Sequence, residues 1–212
     1  NIRRESYLKF LNTWKNRDLI KVLSGVRRSG KSTLLAMFQQ DLKEQGVQDE
    51  NIIAINFEFM EFEELTDYRK LHDYVLSKVD KNKKNYVFLD EIQHVQNFEK
   101  VVDSLYIRDY IDLYITGSNA FFLSGELATL LTGRYIEQHV LPLSFQEFKQ
   151  WHTENNPTIQ QLSNRDLYAM YTRSSFPYTL AMTNQQETYD YLQAVYASVM
   201  FRGGSGNLNN TY

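Results

Sequence analysis

Apolar residues change their spacing along this chain, and each change marks an element. Tyr7, Leu8, Leu11 and Trp14 recur at intervals of three and four, so an amphipathic helix is expected within the first fifteen residues. Leu19-Ile20-Lys21-Val22-Leu23 breaks that period with a short, mostly apolar run ending at Ser24-Gly25, the pattern of a buried parallel strand that enters a tight loop. A helix follows at once, with Leu34, Leu35, Phe38 and Leu42 as its buried stripe and Gly46 as its terminator.

The alternation then repeats. Ile52 to Phe57 predicts a second strand, and Tyr68, Leu71, Val75 and Leu76 predict a helix after it. Tyr86-Val87-Phe88-Leu89 predicts a third strand, followed by a helix carrying Phe98, Val101, Val102 and Leu105. Leu113 to Thr116 is the fourth strand and Tyr135 to Val140 the fifth. Short apolar strands alternating with amphipathic helices call for right-handed crossovers and a parallel sheet covered on both faces. The expected fold is therefore three-layer α/β, a parallel five-stranded sheet with flanking helices, followed by a small helical region.

That helical region begins after Leu141-Pro142-Leu143, with segments near Phe145 to Trp151, Asn164 to Thr172 and Gln185 to Met200. A boundary near Pro157 divides the chain into a sheet domain with its N-terminal helix at 1–156 and a helical region at 157–202. The glycine- and asparagine-rich residues 203–212 read as a flexible tail or linker.

Composition supports a packed core: 42% of the 212 residues are hydrophobic, and 15 Tyr and 13 Phe provide large side chains to bury. A net charge of −3 gives no whole-chain reason to expect nucleic acid, although a local basic face would be hidden in that sum. With no cysteine there is no disulfide framework, thiolate metal site or cysteine nucleophile, which suits a reducing cytoplasm. No run approaches the roughly 20 apolar residues of a membrane span, so a soluble cytoplasmic protein without membrane association is expected.

The chemistry concentrates where strands end. Gly25 and Gly30-Lys31-Ser32 fit G-x-x-x-x-G-K-[ST], a pattern that chance gives in a chain of this length roughly once in a hundred. It follows an expected strand and opens an expected helix, the arrangement in which backbone N–H groups and a helix N-terminus surround phosphate oxygens. Residues Gly25, Val26, Arg27, Arg28, Ser29, Gly30, Lys31, Ser32 and Thr33 are the expected nucleotide cradle. Lys31 would reach the β- and γ-phosphates as a point charge, and the Ser32 hydroxyl would hold Mg²⁺. The side chains of Arg27 and Arg28 are expected to face solvent or a neighbouring subunit rather than the phosphates.

Binding is separate from cutting. Tyr86-Val87-Phe88-Leu89 runs straight into Asp90-Glu91, two carboxylates at the carboxyl end of a core strand. Asp90 is expected to hold Mg²⁺ through water, and Glu91 to orient and deprotonate an attacking water. The competing reading is two acids at a helix start, favoured by its dipole.

The fourth strand ends in Thr116-Gly117-Ser118-Asn119, where Ser118 and Asn119 could bond the γ-phosphate or the water, or serve as a helix N-cap. Arg134, before the fifth strand, could reach the γ-phosphate of its own or an adjacent subunit, or form a surface ion pair. His72, His94, His139 and His152 have no metal-ligand spacing, and no G-x-S-x-G elbow occurs.

With these residues in view, the chain resembles a family of prokaryotic AAA-type P-loop ATPases that carry a C-terminal domain of unknown function. The resemblance lies in LIKVLSGVRRSGKSTLL (19–35), YVFLDEIQHVQNFEKVV (86–102), YITGSNAFFLSGELATLLTGRYIEQHVLPLSFQEF (114–148) and, more weakly, SSFPYTL (174–180). It implies a sheet in the AAA order with the phosphate-loop strand near its centre, and ATP as the nucleotide, in keeping with the lack of an N-K-x-D guanine motif. It also implies the roles given above for Lys31, Ser32, Asp90 and Glu91, a sensor at Ser118 or Asn119, Arg134 as an arginine finger, and a homo-oligomer. Family members are nearly twice this length, so a truncated C-terminal domain, which would select the unnamed protein partner, is expected.

The leading expectation is Mg²⁺-dependent ATP hydrolysis coupled to a conformational change in a partner-directed ATPase. One alternative is a slow or non-hydrolysing switch or DNA-associated module, against which the intact Asp90-Glu91 pair speaks. A small-molecule kinase is the other, weakened because no arginine-rich lid segment stands near the fifth strand.

Overall fold

The computed structural model describes residues 2–118, 131, 133–155, 162–182 and 184–203. Two compact units emerge. One comprises Arg3–Gly25 and Lys31–Val140; the other comprises Ile2, Val26–Gly30 and the chain from Leu141 onward.

The first unit is built on a sheet of β1 (Ile20–Gly25), β2 (Ile52–Asn56), β3 (Asn85–Asp90), β4 (Ile111–Ser118) and β5 (Tyr135–His139). Every neighbouring pair is parallel and the order is β2-β3-β4-β1-β5, so β4 is central and β1 lies between β4 and the edge strand β5. β1 and β3 are buried along their whole length, whereas β2 and β5 alternate in exposure as edge strands do. β1 and β4 reach further than the apolar runs suggest, because Ser24 with Gly117 and Gly25 with Ser118 continue the pairing through polar residues.

Side chains on the two faces of this sheet feed separate cores, as a two-residue period requires. One face joins Ile20, Val22, Ile55, Val87, Leu89, Leu113 and Ile115 to Leu71 and Val75 of α3 (Tyr68–Lys78) and to Val101, Val102 and Leu105 of α4 (Phe98–Tyr106). The other joins Leu23, Phe88 and Tyr114 to Leu8 and Leu11 of α1 (Glu5–Trp14) and to Leu34, Phe38 and Leu42 of α2 (Lys31–Glu44). On that second face Phe88 stacks on Tyr114 with centroids 4.8 Å apart. This is the three-layer α/β arrangement expected from the sequence.

Local chemistry sets the ends of these helices. Asp67 caps α3 by accepting from the Arg69 and Lys70 amides at 2.9 and 3.1 Å. After α2 the chain turns at Gly46 with φ 92°, and the Val47 amide bonds back to the Leu42 carbonyl at 3.0 Å.

One polar feature interrupts the apolar strands. Lys21, fully buried in β1, pairs with Asp112 of β4 and also donates to the Arg17 carbonyl at 2.8 Å. Asp112 in turn accepts from the Tyr114 hydroxyl at 2.7 Å and the Asn16 amide at 2.9 Å. Burial pushes the Lys21 ammonium below its ordinary value, and Asp112 opposes that shift.

The second unit contains α5 (Phe145–Asn155), α6 (Asn164–Tyr171) and α7 (Gln185–Gly203), and a small core in which Phe148 of α5 joins Leu143 and Leu180, with Met170 and Tyr171 of α6 packed against it. Ser144 and Glu147 form a reciprocal capping box at the start of α5, which extends past Trp151 to Asn155. α5, which falls within the expected 1–156 domain, groups instead with the later helices. His152 is buried against Phe148 and Trp151, and that burial holds its imidazole below the ordinary value of 6.5.

Candidate functional site

Because the strands are parallel, their carboxyl ends share one edge of the sheet, where Gly25, Asn56, Asp90 and Ser118 terminate β1, β2, β3 and β4. Gly25 adopts φ 151°, a conformation side chains rarely take, and the helix that begins at Lys31 follows after residues 26–30. The Lys31 side chain, almost fully buried, donates to the Gly25 carbonyl at 3.2 Å and lies 3.6 Å from a Glu91 carboxylate oxygen. Gly25, the start of α2 and Glu91 thus meet through one ammonium group.

The acidic pair is held by its neighbours. Asp90 accepts from the Asn56 amide group at 2.9 Å, from the Thr116 hydroxyl and from the Ser32 hydroxyl. Burial raises its carboxyl above the ordinary 3.8, against the opposing pull of those hydroxyl bonds. Glu91 follows in a left-handed conformation, φ 59°, which costs a non-glycine residue about 1–3 kcal/mol. Its backbone amide donates to Thr116 Oγ1 at 2.9 Å, and its carboxylate accepts from Gln93. Thr116 therefore connects the two acids, taking a hydrogen bond from one and giving one to the other.

The structure thus brings together Gly25, Lys31, Ser32, Asp90 and Glu91 from the expected set. Ser118 pairs with Gly25 in the strand register and is half-buried; Asn119 lies outside the described residues. Thr33 is exposed in the first turn of α2. Thr116 and Asn56 contact the acids without having been singled out. Thr116 belongs to the polar run read from the sequence, and Asn56 is the polar terminus of the strand beside Asp90 in register.

Arg134 stands apart. Its carbonyl accepts from the Ile20 amide at 2.8 Å, at the amino end of β1, and its guanidinium pairs with Asp103 at 2.7 Å. The length of β1, about 17 Å at 3.3 Å per residue, separates it from the phosphate-loop end of the same strand. This placement puts Arg134 at the amino edge of the sheet, and its guanidinium forms the surface ion pair.

Residues 26–30 group with the C-terminal unit. The Ser29 amide closes a turn onto the Val26 carbonyl at 3.2 Å, Gly30 has φ 101°, and a Cβ at Gly30 would meet Pro177 at 3.7 Å. The Arg28 side chain is exposed and lays its guanidinium over the ring of Tyr191 in α7, 5.1 Å from the centroid, while its backbone is left-handed at φ 66°. Arg27 is half-buried.

The fit to Mg²⁺ follows from the donors. Ser32 and Asp90 present hard oxygens in hydrogen-bond contact, and no group of three His, Cys, Asp or Glu that could cage a metal occurs among the described residues. Mg²⁺ suits such a place, since it takes one or two protein oxygens and completes its shell with phosphate and water.

Comparison with known proteins adds to this geometry. The family model described as "AAA domain" matches residues 17–149. An uncharacterized protein of Haemophilus influenzae is 40% identical over 201 residues, covering 94% of this chain and 49% of the relative, so the chain spans about half the length of that protein. Among solved structures, the Walker-type ATPase paby2304 of Pyrococcus abyssi matches with a TM-score of 0.58 at 16% identity, over 95% of this chain and 74% of that one. AMPPCP-bound DnaA from Aquifex aeolicus matches at 0.55 and 14%, over 97% and 64%. At such identities these two show the fold alone. No helix among the described residues is long and apolar enough to cross a membrane.

Proposed function

The chain belongs to the AAA domain family, and from that premise we propose that it binds ATP with Mg²⁺ and hydrolyses it. The observation that carries this reading is the convergence of Lys31, Ser32, Asp90 and Glu91 at the carboxyl ends of β1 and β3. A parallel sheet binds its ligands at that edge.

Lys31 and the helix N-terminus at α2 bind the phosphates. Ser32 and Asp90 are the residues that would hold Mg²⁺, which when bound neutralises charge on the phosphate oxygens. Glu91 takes a proton from water as that water attacks the terminal phosphorus. The bond to the bridging oxygen then breaks and ADP departs. Thr116 fixes the backbone at Glu91 and the carboxylate of Asp90, so both acids keep one geometry. Lys31 and Glu91 face each other, and a triphosphate that engages Lys31 gives it another partner and leaves Glu91 for water.

Arg134 acts from a neighbouring copy, because its own site is a strand length away. The isolated chain is accordingly a slow ATPase, and a homo-oligomer completes the site. The slow-switch reading describes that unassembled state, favoured by the mutual pairing of Lys31 with Glu91 and of Arg134 with Asp103. In the longer protein the cycle drives a conformational change passed to a protein partner in the cytoplasm. Phosphate release by wild-type chain at rising concentration tests the reading: turnover per chain should climb as copies assemble, and a rate at the buffer level throughout would refute hydrolysis.

A further inference from the structure

Arg28 sits in the middle of the phosphate loop with a backbone conformation that is costly for an arginine. Such a conformation persists when its surroundings hold it, and the group that meets the side chain is Tyr191 of α7, its ring centroid 5.1 Å from the guanidinium carbon. Tyr191 is itself fixed. It is 9% exposed, stacks with Tyr178 at 5.1 Å and 27°, and meets Phe176 edge-on at 6.4 Å. Its hydroxyl is buried with no hydrogen-bond partner among the described residues, so the tyrosine offers Arg28 an aromatic face rather than a polar contact. Two residues along the loop, Gly30 approaches Pro177, which adjoins Phe176 and Tyr178 in the chain. Loop residues 26–30 and α7 fall in the same compact unit.

We propose that Tyr191 is a positioning residue for the phosphate loop, acting through Arg28, so that nucleotide affinity depends on the seating of the C-terminal helix α7. This rests on the nucleotide reading above. Phosphate oxygens are bound by loop amides whose directions follow from the backbone conformation at residues such as Arg28. Holding that conformation in advance removes an ordering cost from binding, and releasing it weakens binding without altering the groups that act on water. A ligand or partner that moved α7 would tune ATP affinity by the same contact.

Two readouts test this in the 212-residue chain. The first needs no nucleotide: limited trypsin digestion, with cleavage after Arg27 and Arg28 followed by fragment mass. The wild-type loop should resist, and Tyr191→Leu should open both bonds to cleavage. The second is ATP affinity and turnover. Tyr191→Leu should weaken ATP binding about twofold to thirtyfold, the range of a lost cation–π contact, and leave kcat within about twofold. Tyr191→Phe keeps the ring and should restore both readouts.

Arg28→Leu removes the same contact from the loop side. Combined with Tyr191→Leu it should add nothing further to the loss of ATP affinity or to cleavage after Arg27, which keeps the test decisive if one variant folds poorly. Trypsin resistance and ATP affinity unchanged in Tyr191→Leu would overturn the inference. If the trypsin contrast holds while the wild type binds no ATP, loop pinning stands and the nucleotide reading falls. If the wild type binds ATP and the variants do not differ from it, the nucleotide reading stands and this inference falls.

Discussion

Lys31 and Glu91 stand 3.6 Å apart, a cation from the phosphate loop facing the acid proposed as the base. Both are nearly buried, so the pair competes with any phosphate for the ammonium group. Glu91→Gln removes the competing charge and should tighten ATP binding by roughly threefold to tenfold, about 1 kcal/mol. Titration calorimetry on the two chains checks this. Weaker binding in the variant would mean that Glu91 helps to hold the nucleotide.

Arg134 pairs with Asp103 at the amino end of β1, a strand length from Gly25, and its proposed target is the site of a neighbouring copy. Arg134→Ala should lower turnover about a thousandfold in assembled protein while leaving ATP affinity near wild type. An equal mixture of Arg134→Ala and Glu91→Gln chains then pairs an intact Glu91 with an intact Arg134 at some interfaces. Roughly a quarter of wild-type turnover should return. No recovery on mixing would remove Arg134 from the mechanism.

His152 carries a pH signature. Burial holds its folded value below 6.5, so the unfolded chain binds the proton more readily and stability is lost as pH falls below that value. Between pH 7.5 and 5.5 melting of the C-terminal unit should move down, with a limiting slope of about 1.4 kcal/mol per pH unit. His152→Phe should flatten this part of the profile, as thermal melts across pH will report. An equal slope in the variant would assign it to other groups.

Much of this architecture is legible in the sequence because interior parallel strands are buried on both faces and read as unbroken apolar runs. Lys31, Ser32, Asp90 and Glu91 are legible too, since each stands at a fixed offset from such a run. Thr116 and Asn56 are not, because their contact with the acids depends on register between strands distant in the chain. Lys21 and Asp112 pair across 91 residues, and neither has a local signal for its partner. The isolation of Arg134 was available in principle: a residue just before a parallel strand lies at the amino edge, away from a loop that leaves a carboxyl end. The ring contact of Arg28 has no local signal either, since a loop arginine gives no hint of an aromatic ring contributed by a late helix.

The Lys21 and Asp112 pair gives a stability test remote from the proposed site. Asp112→Ala leaves a buried ammonium without its counter-charge and should cost about 3–5 kcal/mol. The double change Lys21→Met with Asp112→Leu should recover most of that loss, as denaturant unfolding can measure. A mild loss in the single variant would mean that water reaches Lys21.

In the proposed reaction Glu91 activates water for ATP cleavage at a site whose phosphates Lys31 binds. Single-turnover phosphate release with Mg²⁺, measured at saturating chain for wild type, Glu91→Gln and Lys31→Ala, tests it most directly. Wild type should release phosphate, Glu91→Gln should bind ATP yet release it about 100-fold to 10,000-fold more slowly, and Lys31→Ala should neither bind nor cleave. Release by Glu91→Gln at the wild-type rate would remove Glu91 from the activation of water.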